Sequence, residues 1–315
     1  MPSNVQFMTY ADAAYVHWLV HLYRNMRLIK LLPLDVCTSS EASTAAAFAL
    51  AVGAEHFGVN FVEESGDTAA TRASTSRVAV AETFGTRSYL SIQRRKHACV
   101  LHRMEALLRS RGRASPYVLY VDADVTFLRD PRPHLPPTSA AIDLAALDDT
   151  GAWRAGLNAG FFAIRPLPQT LKLWRFLILQ STRRQLQASK TQERLGLIDE
   201  QRILNELLKE KMHGSVRHRA LDTQRFLNGF RFYEDPLLRT NASSSSHSGA
   251  AVKLVAVHHN WIEGDAKKWQ RAKAFGTLVL DANESKSGFL RRARSAMVSM
   301  PAWVPPPTKK NRRQE

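Results

Sequence analysis

The segment YVLYVDADVTFLRDP, from Tyr117 to Pro131, constrains this chain more than any other. Four apolar residues, Val118 to Val121, run straight into two carboxylates, Asp122 and Asp124. A short apolar run of this kind reads as a strand buried on both faces, as in a parallel sheet between layers of helices. Strand side chains alternate, so carboxylates two apart point the same way. Side by side at the end of a buried strand they repel each other. A divalent cation that prefers hard oxygen ligands relieves the repulsion, and such a metal commonly holds a diphosphate. A bare Asp-x-Asp also caps loops, but the apolar run before it favours the metal reading. A calcium loop would need further oxygen ligands at fixed spacing and a glycine. Asp130, just before Pro131, reads as a turn residue.

A chain of 315 residues, 44% hydrophobic, can bury a real core. Residues 1–300 read as one domain and 301–315 as a basic, proline-rich tail. Lys and Arg number 44 against 28 Asp and Glu, a net charge of +16. That balance attracts anions: nucleic acid, acidic membrane, or phosphorylated and acidic substrates. The charge is spread, with its densest runs at Arg291, Arg292, Arg294 and Lys309 to Arg313. Two cysteines, Cys37 and Cys99, show no zinc spacing, and a disulfide between them is possible but not deducible. No run of eighteen apolar residues and no signal peptide is visible. The sequons at Asn241 and Asn283 lean weakly toward a secretory lumen.

Strands are predicted over Val5 to Thr9, Leu31 to Val36, the Asp-x-Asp segment, Ala140 to Leu147, Leu157 to Pro166 and Lys253 to Val257. A tight turn at Gly156 to Gly160 precedes the fifth of these. Helices are predicted over Asp12 to Lys30, an Ala-rich stretch ending at Gly58, Ser91 to Gly112, Leu171 to Gln187, and IDEQRILNELLKE. Ser65 to Ser76 and Arg239 to Ala250 read as loops. Alternating strands and helices argue for an α/β fold around a parallel sheet. Lys96 falls on the apolar stripe of its helix. Either it snorkels to the rim of the core or it aims at a phosphate in the adjoining cleft. Gln201 and Asn205, one turn apart, either line a pocket or form a satisfied polar edge.

Ligands of open α/β sheets bind beyond the carboxyl ends of the strands. Asp122 and Asp124 sit at such an end, and so does the segment from His258 to Trp261. A carboxylate pair and one histidine can close an octahedral site whose other positions take diphosphate oxygens. Gly264 and Lys267 follow, a flexible turn and a cation for the phosphate.

The blocks DADVTFLRDP, LNAGFFAIRP, EQRILN, LDTQRFLNG and VHHNWIEGDAK occur in the order found in nucleotide-diphospho-sugar transferases of glycosyltransferase family 77, which the chain resembles over roughly residues 5 to 275. The family includes plant and algal arabinosyl-, xylosyl- and galactosyltransferases. The resemblance implies a GT-A-like, Rossmann-like, mostly parallel central sheet flanked by helices. It also implies a nucleotide sugar donor, usually UDP-linked, Mn²⁺ or Mg²⁺ as cofactor, and transfer with retention. Carried onto this sequence, it gives Asp122, Asp124 and His258 (rather than His259) as metal ligands. Asn158 and Gly160 would face the sugar, Gln201 would match the Gln of an Asp-Gln pair, and Lys96, Gly264 and Lys267 would contact the donor. Glu200 stands where the family has Asp, with Asp199 just before it, so either carboxylate could serve. The acceptor would be a glycan or a hydroxyproline-rich glycoprotein. The expected location is the Golgi lumen or membrane, with a membrane anchor that this sequence does not contain.

Two other functions compete. Metal-dependent nucleotidyl transfer also uses carboxylate pairs, but the first βα segment lacks a glycine-rich phosphate loop. A noncatalytic basic binder of nucleic acid or sugar would suit the charge, yet no nucleic-acid motif or interleaved basic–aromatic patch is present, and no nucleic-acid partner is expected.

Overall fold

In the computed structural model, which describes residues 5–38, 41–52, 58–63, 87–110, 117–149, 156–191, 199–210, 216–235, 254–260, 265–279 and 284–299, the apolar segments pair as a mixed α/β sheet. Its strands are β1 (Val5–Tyr10), β2 (Leu34–Thr38), β3 (Val59–Glu63), β4 (Tyr117–Val121), β6 (Leu144–Asp148), β7 (Leu157–Ile164) and β8 (His218–Ala220), in the order β3-β2-β1-β4-β7-β6-β8. The first four are parallel. β7 runs antiparallel to both β4 and β6, and β8 returns parallel to β6. The sheet is mostly parallel, as expected.

Alternation along β4 explains why its sequence is apolar throughout. Tyr117, Leu119 and Val121 pack on one face with Leu19, Leu22 and Met26 of α1 (Val16–Leu28) and Phe48 of α2 (Glu41–Val52). Val118 and Tyr120 pack on the other with Val100 and Met104 of α3 (Arg87–Arg109), Trp174 of α4 (Pro168–Thr191) and Leu204 of α5 (Glu200–Lys209). Each face of the strand thus meets helices, the condition for a continuous apolar run.

Several boundaries differ from the sequence reading, each for a local reason. β2 begins only at Leu34, because Pro33 has no N–H to give the ladder. The Ala-rich helix ends at Val52, and β3, unexpected from the sequence, follows Gly58. The predicted strand from Ala140 starts at Leu144, since Asp143 is engaged with Arg217. Gly160 lies inside β7 rather than closing a turn from Gly156.

The strand expected from Lys253 is β10 (Ala256–His258), and it does not join the central sheet. It forms a second, three-stranded sheet, antiparallel to β5 (Val125–Phe127) and parallel to β9 (Phe226–Asn228). Because β5 follows β4 directly, this sheet stands at the carboxyl end of β4, and it carries His258 there. Three further helices, α6 (Gly229–Glu234), α7 (Asp265–Ala274) and α8 (Lys286–Ser299), accompany it. No described helix is long and apolar enough to cross a membrane. The loops expected at 65–76 and 239–250, the tail at 301–315, Asn241, Asn283 and Gly264 lie outside the described residues.

Candidate functional site

Asp122 and Asp124 occupy the turn between β4 and β5, not the strand itself. Their convergence therefore comes from the turn and from His258 facing them across the second sheet, rather than from strand alternation. His258 Nε2 lies 3.2 Å from Asp124 Oδ1 and 3.6 Å from Asp122 Oδ2. One ligand atom from each of the three residues falls within 4.8 Å of the others. Asp124 and His258 are buried and Asp122 is half-buried. Two carboxylates and an imidazole nitrogen suit a divalent cation such as Mn²⁺ or Mg²⁺ and leave coordination positions for other oxygens. An ideal Cβ at Gly160 would stand 2.1 Å from Asp122 Oδ2 and 2.7 Å from His258 Cε1. Only a residue without a side chain allows β7 to pass this close.

His258 rather than His259 is free for this role, because His259 is committed elsewhere. Tyr233 OH donates to His259 Nδ1 (2.5 Å), so His259 Nε2–H points to Thr126 Oγ1 (2.9 Å). Val279 N–H donates to His21 Nδ1, so His21 Nε2–H also faces Thr126 Oγ1, and the hydroxyl passes its own proton to Thr277 O. Every proton in this chain has one consistent position. Burial first, and then His21, keep His259 well below the usual histidine range. The backbone N–H of His259 donates to Asp124 O (2.9 Å), fixing the turn to β10.

Two lysines face the carboxylates. Lys96, buried on α3, donates to Glu200 Oε1 (3.0 Å) and reaches Asp122 Oδ1 at 3.5 Å. Lys96 is therefore buried against carboxylates rather than snorkelling to the rim of the core. Burial alone would lower its pKa, but Asp122 and Glu200 outweigh that and raise it. The second cation is Lys268, whose Nζ lies 2.8 Å from Asp124 Oδ2. Lys267, expected from the sequence, is exposed on the outer side of α7. Burial would raise the Asp124 carboxyl, yet Lys268 and His258 hold it well below the usual carboxylate range. Lys268 is delivered by anchoring α7: Asp265 accepts from Trp18 Nε1 (2.5 Å) and pairs with His17 Nε2 (3.0 Å).

The carboxylates at the start of α5 divide their work. Asp199 caps the helix by accepting from Gln201 N (3.0 Å). Glu200 turns inward to Lys96, and its Oε2 is buried with no hydrogen-bond partner among the described residues. Gln201 and Asn158 meet on Asp149, which the sequence reading missed. Asp149 accepts from Gln201 Nε2 (2.9 Å), Asn158 Nδ2 (3.3 Å), Asn228 Nδ2 (3.1 Å) and Asn260 Nδ2 (3.0 Å). One buried carboxylate thus ties β7, α5, β9 and the residues after His258 together. Asn158 is buried, and its Oδ1 accepts from Gly160 N (2.7 Å). Asn205 proves to be a satisfied polar edge, exchanging bonds with both backbone groups of Leu157 (2.8 Å each). Cys37 at the end of β2 is bonded to Cys99, one turn after Lys96 on α3.

A family model described as nucleotide-diphospho-sugar transferase matches residues 60–272. Among solved structures, the chain is similar to the apo-form glycosyltransferase GlyE of Streptococcus pneumoniae TIGR4, at 14% identity over 95% of this chain and 65% of that one, with a TM-score of 0.47. It is also similar to the galactosyltransferase LgtC in complex with donor and acceptor sugar analogs (17% identity, 98% and 100% covered, TM-score 0.44). A third is mouse xyloside xylosyltransferase 1 (16% identity, 84% and 98% covered, TM-score 0.42). The chain spans about two thirds, 65%, of the first of these. No curated protein matches it.

Proposed function

The chain belongs to the nucleotide-diphospho-sugar transferase family, and from that premise we propose that it moves a sugar from a UDP-linked donor to a hydroxyl of a glycan or a hydroxyproline-rich glycoprotein, with retention of anomeric configuration. The observation that carries this reading is the convergence of Asp122, Asp124 and His258 beside the bare backbone of Gly160.

Departure of a nucleoside diphosphate builds negative charge on its terminal phosphate oxygen. When bound by Asp122, Asp124 and His258, a divalent cation such as Mn²⁺ supplies neutralising positive charge there. Lys268, beside Asp124, adds a fixed ammonium at the same place. Lys96 pairs with both Asp122 and Glu200, so one ammonium offsets part of the negative charge of the two carboxylates. Glu200 Oε2, buried and without a hydrogen-bond partner among the described residues, is the acceptor left for a sugar hydroxyl. Asp149 positions Gln201, Asn158 and Asn260 around this centre and has no cationic partner among the described residues. A preorganised arrangement of this sort does not reorganise during the reaction, which is where electrostatic catalysis gains most. The Cys37–Cys99 bridge suits an oxidising compartment such as the Golgi lumen.

The test is a screen of nucleotide sugars for hydrolysis and transfer, with and without Mn²⁺. Release of free nucleoside diphosphate that depends on the cation is expected. Release of pyrophosphate would replace this reading with nucleotidyl transfer.

A further inference from the structure

We propose that a basic pocket on the edge of the central sheet binds the carboxylate of an acidic sugar in the acceptor chain, an inference that rests on the transfer reading above. The pocket, about 440 Å³, is lined by Pro133, His134, Arg219, Ala220, Asp222 and Arg225. It opens where β8, the end strand in the sheet order, meets the single turn Arg132–His134 and the start of β9. None of its groups takes part in the site around Asp122.

Arg225, His134 and Asp222 engage one another, and Arg219 brings a further guanidinium to the same pocket. Arg225 Nη1 donates to His134 Nδ1 (2.6 Å), which leaves the imidazole neutral with Nε2–H as its remaining donor. Burial, then Arg225 and Arg129, hold His134 below the usual histidine value. The Asp222 carboxylate lies 3.1 Å from Arg225 Nε and offsets one of the two guanidinium charges. Arg219 is exposed on β8 and makes no ion pair among the described residues. Two guanidiniums, one carboxylate and a neutral histidine leave one positive charge. That matches a carboxylate monoanion better than a phosphate dianion, and the planar guanidinium fork fits a carboxylate with two parallel hydrogen bonds.

The position suits a chain held at two points. Asn228 pairs in register with His258, and Arg225 precedes Asn228 by three residues. Arg225 and Asn228 therefore stand roughly 10 Å apart along the chain at the rise of a strand, with the pocket at one end of the small sheet and His258 at the other. A glycan anchored here by an acidic residue would present a neighbouring hydroxyl to the donor at raised effective concentration.

The experiment titrates the full chain with a galacturonate oligomer, with the same oligomer after carboxyl reduction, and with inorganic phosphate, in the wild type and in Arg219→Gln. Because Arg219 is exposed, the variant is expected to fold normally. The oligomer should bind, more weakly as salt rises, and carboxyl reduction should abolish binding. Arg219→Gln should weaken binding by about tenfold, as loss of a charged hydrogen-bonding partner does. Nucleotide-sugar hydrolysis without acceptor should be unchanged in the variant. Equal oligomer affinity in wild type and variant, equal binding of the reduced oligomer, or tighter binding of phosphate than of the oligomer would overturn the proposal. Hydrolysis read on the same samples separates the two claims. Oligomer binding without any hydrolysis would refute the transfer reading and leave a carboxylate site, whereas hydrolysis without oligomer binding would refute the pocket alone.

Discussion

Neighbouring residues on a helix point about 100° apart, so Lys267 and Lys268 cannot both face Asp124. Motif spacing singled out Lys267. The structure turns Lys268 inward, because Trp18 and His17, far away in sequence, fix the rotation of α7 through Asp265. Lys268→Met is therefore expected to cost about 10²–10³ in kcat, as removal of a preorganised charge does. Lys267→Met, a change at an exposed cation, should stay within about twofold. Steady-state kinetics on both variants decides between them, and the reverse ranking would reassign the cation. Gly160→Ala makes a second case. Its new Cβ would meet Asp122 Oδ2 at 2.1 Å, so the carboxylate must move. A loss of at least about tenfold in kcat/KM, or 1.4 kcal/mol, is expected with an unchanged circular dichroism spectrum. Asp122, Asp124 and His258 were legible because each follows an apolar run that marks its strand. Asp149 was not, since its importance lies in four amides from distant segments and its own neighbourhood carries no pattern.

Among the elements, α3 bears the closest relation between stability and the site. Lys96 projects from it toward Asp122 and Glu200, and one turn on, Cys99 staples it to the end of β2. The bridge spans 62 residues of sequence, for which chain entropy gives about 4 kcal/mol of stabilisation. Reduction, or the double change Cys37→Ala with Cys99→Ala, should lower the urea midpoint accordingly. An unchanged midpoint under reductant would show that the bridge contributes little. The pairing was open from sequence because two cysteines reveal no geometry until α3 packs on the sheet. The strands and helices themselves were largely readable from period and punctuation. What escaped were the short strands β3, β5, β8 and β9, whose few residues fix no periodicity and whose partners lie far along the chain, and the later helices α6, α7 and α8. The second sheet was missed for that reason, although its last residue, His258, was already suspected as a ligand.

Across the whole molecule, the triad is backed by histidines kept neutral by burial. His21 joins α1 to the Thr126 hydroxyl and the Val279 amide, and burial lowers its pKa to about 3. The unfolded chain titrates the same group near its ordinary value of 6.5. Between those values the unfolded state binds a proton that the folded state refuses. Stability is therefore full above the upper value and falls as pH drops below it. One such group contributes a slope of up to about 1.4 kcal/mol per pH unit. Urea midpoints measured from neutral pH downward should show this slope in the wild type and a shallower one in His21→Gln. Identical slopes would mean that His21 does not carry the effect.

The central claim is that β4, β5 and β10 converge to hold one cation against a diphosphate. Calorimetric titration of the folded chain with Mn²⁺ and uridine diphosphate, separately and together, tests it most directly. We expect the nucleotide to bind tightly only when Mn²⁺ is present, and Asp124→Ala to remove that dependence while the protein stays folded. Binding of uridine diphosphate that is equal with and without Mn²⁺, or unaffected by Asp124→Ala, would contradict the account.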